Sequence, residues 1–158
     1  VDNGTVSKVS DGKFMIVPDM PNVICNISVY VNDGGVKERY FFSHFRVKRL
    51  PNPEIFPPVK DTMASVHQLV NHSFHARINN FDYVGVNFAV REFTVFYSKG
   101  SVIQIIKVKG NNMTPRQKSI FVSKLSKGDL VIFKDFKVQL KDTDEIYSVP
   151  GSFYYTIK

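Results

Sequence analysis

Between Pro51 and Pro58 the chain carries four prolines in eight residues, within the run Leu50-Pro51-Asn52-Pro53-Glu54-Ile55-Phe56-Pro57-Pro58. Proline has no backbone N–H and a φ held at about −65°, so such a run fits neither a helix interior nor a central strand. It reads as a stiff, extended passage between two folded parts. The expected organisation is therefore a small β module over residues 1–50, a proline-rich connector over 51–59, and a larger β module over 60–158. Arg49, Pro51, Pro53, Pro57 and Pro58 are the candidate connector residues.

Both flanks are rich in β-formers. Phe and Tyr number 14 and 7, Trp is absent, and apolar residues alternate with polar ones, which suits a sheet packed on one face. Before the connector, strands are expected over 13–17, 23–31 and 36–47. Ser10-Asp11-Gly12 and Asn32-Asp33-Gly34-Gly35 supply the turns, because Asx and Gly tolerate positive φ. After it, a short helical pattern over 63–70 precedes strands over 74–78, 81–88, 91–97, 102–109, 130–140 and 147–157. Asn79-Asn80 breaks the first two of these apart. Thr114-Pro115-Arg116-Gln117 opens the one strong helix, over 114–127: Thr114 and Gln117 form a capping box, Pro115 fits the first turn, and Gly128 supplies a stop. The expected fold class is mainly β, with tandem immunoglobulin-like sandwich modules, the second carrying one short helix.

Motifs for catalysis are missing: there is no nucleophile elbow, phosphate-binding loop, dinucleotide fingerprint or zinc-protease helix. His67, His72 and His75 lie close in sequence, but on a strand positions 72 and 75 point to opposite faces, so no metal is expected. Asp142, Asp144 and Glu145 make a polar turn that lacks the ligand count and the glycine of a calcium loop. Asp82 and Glu92 have no fixed separation. The single cysteine, Cys25, sits in the apolar run Val23-Ile24-Cys25, which excludes a disulfide framework and reads as a buried small hydrophobe. No catalytic residue, cofactor or metal is expected, and the chain reads as non-enzymatic. Four Asn-x-Ser/Thr sequons, at Asn3, Asn26, Asn71 and Asn112, are compatible with chance in a chain this rich in Asn and Ser.

The net charge is +7, which favours an acidic partner. Arg46, Lys48, Arg49, Arg116, Lys118, Lys124, Lys127, Lys134, Lys137 and Lys141 are the main basic positions. The aromatics follow a core-like periodicity instead of interleaving with them, so nucleic acid is not the expected partner. No run of apolar residues is long enough for a membrane span. The chain begins with Val1, not Met, and reads as a mature or excised piece.

The residues around the connector add a resemblance. Phe45-Arg46-Val47-Lys48-Arg49-Leu50-Pro51-Asn52-Pro53 resembles the linker signature "FRVKRLPDP" of the GldM/PorM family of gliding-motility and type IX secretion proteins of Bacteroidetes. Residues 76–83, 90–95, 113–129 and 131–136 resemble that family's following strands and helix, in order. Tyr83 stands where a second Phe is more typical, and Phe136 where Ile is typical. The resemblance implies a homodimeric periplasmic, cell-envelope protein, anchored elsewhere in the inner membrane, whose last domain contacts an outer-membrane-associated ring complex. It further implies that these domains are not enzymes. The connector is expected to hold the modules at a defined angle and transmit force or torque. The first module departs from the family's pattern, since about 50 residues are too few for the usual sandwich. An exposed strand edge, or one filled by a partner chain, is the expected consequence. Arg116, Lys118, Lys141 and Asp144 are the candidate partner contacts. The alternative is a surface adhesin or glycan-binding module that would set Tyr83, Tyr97 and Tyr147 on an exposed platform.

Overall fold

Two turns rich in Asx and Gly set the shape of the first part of the chain. β1 (Thr5–Ser10) and β2 (Lys13–Val17) form one antiparallel hairpin around Gly12, and β3 (Ile24–Asp33) and β4 (Val36–Arg46) form a second around Gly34 and Gly35. These three glycines have positive φ, as the tight turns demand. The computed structural model describes residues 1–79 and 85–158 and divides into two units, Val1–Pro51 and Asn52–Lys158.

In the first unit the two hairpins stay separate two-stranded sheets. Polar bonds at the N-terminus link them. The Asn3 side chain donates to the Met20 carbonyl and accepts from its N–H, the Asp2 carboxylate accepts from the Asn26 N–H at 2.7 Å, and the Cys25 thiol donates to the Asn3 carbonyl. Gly4 has φ +121°, and a Cβ there would lie 2.2 Å from the Val17 carbonyl oxygen, so only glycine fits. Asn3 and Cys25 are the two buried residues of this unit. Cys25 is thus the buried group its apolar setting implied, yet it has no apolar core around it: the sandwich expected for residues 1–50 does not form within this unit.

The second unit is built on one mainly antiparallel sheet, in which only the short edge pair Met63–Ala64 with Thr156–Ile157 is parallel among the described residues. In chain order its elements are β5 (Glu54–Ile55), β6 (Met63–Ala64), α1 (Val66–Val70), β7 (Ala76–Arg77), β8 (Phe88–Lys99), β9 (Val102–Lys109), α2 (Pro115–Lys124), β10 (Leu130–Leu140), β11 (Ile146–Val149) and β12 (Phe153–Ile157). The main sheet runs β6-β12-β10-β8-β9, with β11 pairing β10 beyond β12. Residues 80–84 lie outside the described residues, and with them the start of the strand expected over 81–88, Asp82 and Tyr83. The strand expected over 147–157 is split, because Pro150 cannot donate and Gly151 takes φ +124°. β11 pairs with β10 over Phe136–Gln139 and β12 over Leu130–Phe133. Across the same point the β8 register shifts between Lys134 and Lys137, and Asp135 adopts φ 58°, which is a β-bulge that bends β10.

One face of this sheet is the core. Phe93, Val95, Tyr97, Val108, Val131, Phe133, Phe136, Val138, Tyr155 and Ile157 are buried under α1, α2 and the loop before β7. Phe121 of α2 meets Tyr97 edge-on at 5.4 Å. Phe74 sits among Phe93, Phe133 and Phe136 at ring distances of 4.9–5.2 Å. The strand expected over 74–78 is therefore only two residues long: Phe74 turns inward as a core side chain instead of pairing. The mainly β fold class stands. Within the second unit, however, the described residues form a single large sheet covered by two helices and the small β5–β7 sheet, and not two facing sheets of similar size. Both helices carry capping boxes, Ser65 with Gln68 and Thr114 with Gln117. α2 ends at Lys124, earlier than expected, and the Gly128 N–H instead donates to the Ile157 carbonyl at 2.8 Å.

Candidate protein-docking interface

The proline run behaves differently from a free connector. Pro53 is fully buried and Ile55 is buried with it, two residues on, while Asn52, Glu54 and Pro57 are exposed. This two-residue period is that of a strand, and β5 pairs Ile55 with Ala76 and Glu54 with Arg77. Further along, the Arg77 guanidinium lies 4.1 Å from the Phe56 ring centre, and the Tyr155 hydroxyl donates to the Val59 carbonyl at 3.1 Å. Residues 52–59 are thus a strap sealed onto the second unit. Proline is compatible with it because β5 is an edge strand that needs no donor at Pro53. Arg49, Pro51 and Pro57 are exposed and Pro58 is half-buried. Beside the strap, Pro53, Ile55, Phe136, Val149, Gly151 and Phe153 line an open groove of about 450 Å³.

The expected partner contacts fall on two separate elements. Arg116 and Lys118 stand in the first turn of α2, and Lys141 and Asp144 in the β10–β11 turn. No ion pair or hydrogen bond among the described residues joins the two sets. The alternative aromatic platform fails on Tyr97, which is 5% exposed and packs on Phe121. Tyr147 is half-buried against Phe88, and Tyr83 lies outside the described residues. Among the described residues no three His, Cys, Asp or Glu side chains converge as metal ligands. His72 is packed edge-on against Phe74 with its Nε2 buried and without a partner; burial, and then the nearby His75, hold its pKa below the usual imidazole range.

The outer face of the main sheet carries an arrangement that the strand-by-strand reading missed. Registers align Ile105, Phe96, Ile132 and Tyr154 in one row across β9, β8, β10 and β12. The next row holds Ile103, Ser98, Leu130, Thr156 and Met63. Ile103 is 68% exposed, Ile105 58% and Tyr154 56%. Basic residues take over on the other side of the Ile105 row: Lys107 beside Thr94 and Lys134, then Lys109 beside Glu92 and Lys137. The Lys134 ammonium lies over the Phe96 ring at 4.4 Å, and Lys137 pairs with Glu92 at 2.8 Å. That hydrogen-bonded pair, reinforced by Lys107 and Lys109, holds the Glu92 carboxyl below the usual carboxylate range. The only sequence signal was the run Val102-Ile103-Gln104-Ile105-Ile106, apolar on both faces. Such a run does not reveal whether a strand is central or at an edge.

Among the described residues no helix is long and apolar enough to cross a membrane. No curated protein matches the chain. A family model described as the GldM C-terminal domain matches residues 51–157. The match takes in the strap, both helices and every strand of the main sheet, which agrees with the motifs found around Pro51 and along the second unit: this chain belongs to the GldM C-terminal domain family.

Proposed function

We propose that this chain is a non-enzymatic, periplasmic part of a gliding-motility or type IX secretion machine, whose second unit docks an outer-membrane-associated ring or envelope protein and whose first unit pairs with a second copy. Family membership over residues 51–157 is the observation that carries the docking role. The strap supports a mechanical part in it. Tension entering at Pro51 meets Pro53, Ile55 and Val59, which are fastened to the body of the unit by burial, strand pairing and the Tyr155 hydroxyl bond.

The homodimer rests on the first unit. Val6, Phe14, Val29, Tyr40, Phe41 and Phe42 are all at least 45% exposed, and Tyr40 reaches 81%. Two-stranded hairpins without a covered apolar face are marginal in water, and apolar surface on this scale marks a contact. A second copy offers the same hairpins in two-fold symmetric pairing. Light scattering on the chain tests this: a particle of twice 18.0 kDa is expected, and an 18.0 kDa particle at every concentration overturns the pairing. For docking, site-specific crosslinks from the second unit to ring proteins in living cells are the test. Arg116→Glu with Lys141→Glu should reduce the crosslinks if those residues bear the contact, and unchanged yields would remove them from it.

A further inference from the structure

β9 is the last strand of the main sheet, and among the described residues no strand continues the sheet beyond it. Edge strands in monomeric proteins are usually shortened, bulged, broken by proline or interrupted by inward charge. β9 has none of these over Val102–Ile106, and its pairing with β8 runs over eight residues without a register shift. The direction of its free backbone groups is set by α2. Gln117 Nε2 donates to the Lys107 carbonyl at 2.9 Å, so that carbonyl points off the sheet edge. In an antiparallel strand the outward direction recurs every second residue, which turns the N–H and C=O groups of Ile105 and Ile103 outward as well. α2 closes the edge at Lys107 and leaves it open toward Val102.

We infer that the open edge of β9 receives an extended segment of a partner protein as an added strand, paired opposite Ile103 and Ile105 through apolar residues, with carboxylates beyond the paired stretch reaching the Lys107 and Lys109 side chains. The apolar rows of the outer face continue directly onto this edge, so an added strand would extend Ile105-Phe96-Ile132-Tyr154 by one more side chain. Charge selects the occupant. Lys107, Lys109 and Lys134 have no carboxylate partner among the described ion pairs, while Glu92 is held by Lys137. A second copy of β9 brings no carboxylate to these lysines, because Val102–Lys109 contains none, whereas an acidic strand satisfies both the rows and the rim. This inference rests on the docking role of the second unit and names where and how it docks.

A seven-residue peptide, Glu-Thr-Glu-Thr-Val-Thr-Val, sets its two Val opposite Ile105 and Ile103 in antiparallel pairing and carries its two Glu past the closed end toward the Lys107 and Lys109 side chains, and a counterpart with both Glu replaced by Lys inverts its charge. Titrated into the whole chain, the acidic peptide should shift the amide resonances of Ile103 and Ile105 and bind about tenfold or more tightly than the basic one. Lys107→Glu with Lys134→Glu should abolish that preference, and Ile105→Lys, at an exposed edge position that folding tolerates, should abolish binding. Equal binding of the two peptides, shifts confined to other strands, or no binding would each overturn the assignment. A halved particle mass in Ile105→Lys would also overturn it, by showing that β9 seats a second copy. Crosslinking in cells separates this from the broader reading: if Ile105→Lys still reaches ring proteins, docking stands and the edge assignment falls, whereas peptide binding without any wild-type crosslink leaves the edge and removes the docking role.

Discussion

Replacing Ile55 by alanine distinguishes a strap from a free connector. Ile55 is 9% exposed and is part of the core cluster that includes Phe74 and Phe136. The change removes three carbons, about 0.8 kcal/mol each on transfer, plus a cavity term that the neighbouring groove can partly relieve. The expected loss is about 2–3 kcal/mol, the lower part of the range for buried Ile→Ala. For a unit of this size that is a fall of about 10–20 °C in its melting temperature. Hydrogen exchange in urea at the Val131 and Phe133 amides, in β10, the central strand of the main sheet, reads opening of the second unit separately from the first. The Ala76 and Arg77 amides read release of the strap itself. Pro57→Ala, at an exposed position, is the control and should change stability by less than about 0.5 kcal/mol. If Ile55→Ala behaves like that control, residues 52–59 are a connector after all and the mechanical argument built on their burial is wrong.

Gly4→Ala should open the first unit. The backbone there is left-handed and a Cβ would collide with the Val17 carbonyl, a cost of about 1–3 kcal/mol from the strain alone, read as faster exchange of β1 and β2 amides with β10 unaffected; protection equal to wild type would refute it. On the outer face, Lys137→Met should raise the Glu92 carboxyl titration, followed by NMR, back toward 4.5, with Lys107 and Lys109 still keeping it somewhat below. The sign follows from the pair. Glu92, depressed in the folded chain, contributes stability above about pH 4.5 that is lost as pH falls through its folded pKa. Lys137, raised by the same contact, contributes below about pH 10.5 and loses it as pH rises through its own. An unchanged Glu92 titration in the variant would show that the contact does not form in solution.

The local elements were legible where a residue type dictates its own geometry. Gly12, Gly34 and Gly35 mark their turns because positive φ is costly for other residues. Thr114, Pro115 and Gln117 mark the start of α2 because free N–H groups need acceptors. The family, too, was legible, from the motifs between Phe45 and Phe136. The strap was half legible: prolines exclude a helix or central strand, but only alternation against a folded surface shows that Pro53 and Ile55 face inward. Asn3 read as part of a sequon, and its bonds to Met20 depend on contacts 17 residues away.

What the sequence alone determined, then, was a β-rich, two-part chain of the GldM C-terminal domain family with one well-capped helix, because these features rest on backbone preference and on ordered motifs. Tertiary structure decided which apolar residues are core and which are surface. Tyr97 and Ile105 look alike along the chain, yet one lies beneath α2 and the other on the open side of the sheet. Strand periodicity separates two faces, but it does not say which face is covered or which strand is last. That depends on where α1, α2 and the strap settle, and it leaves β9 with an apolar edge facing water.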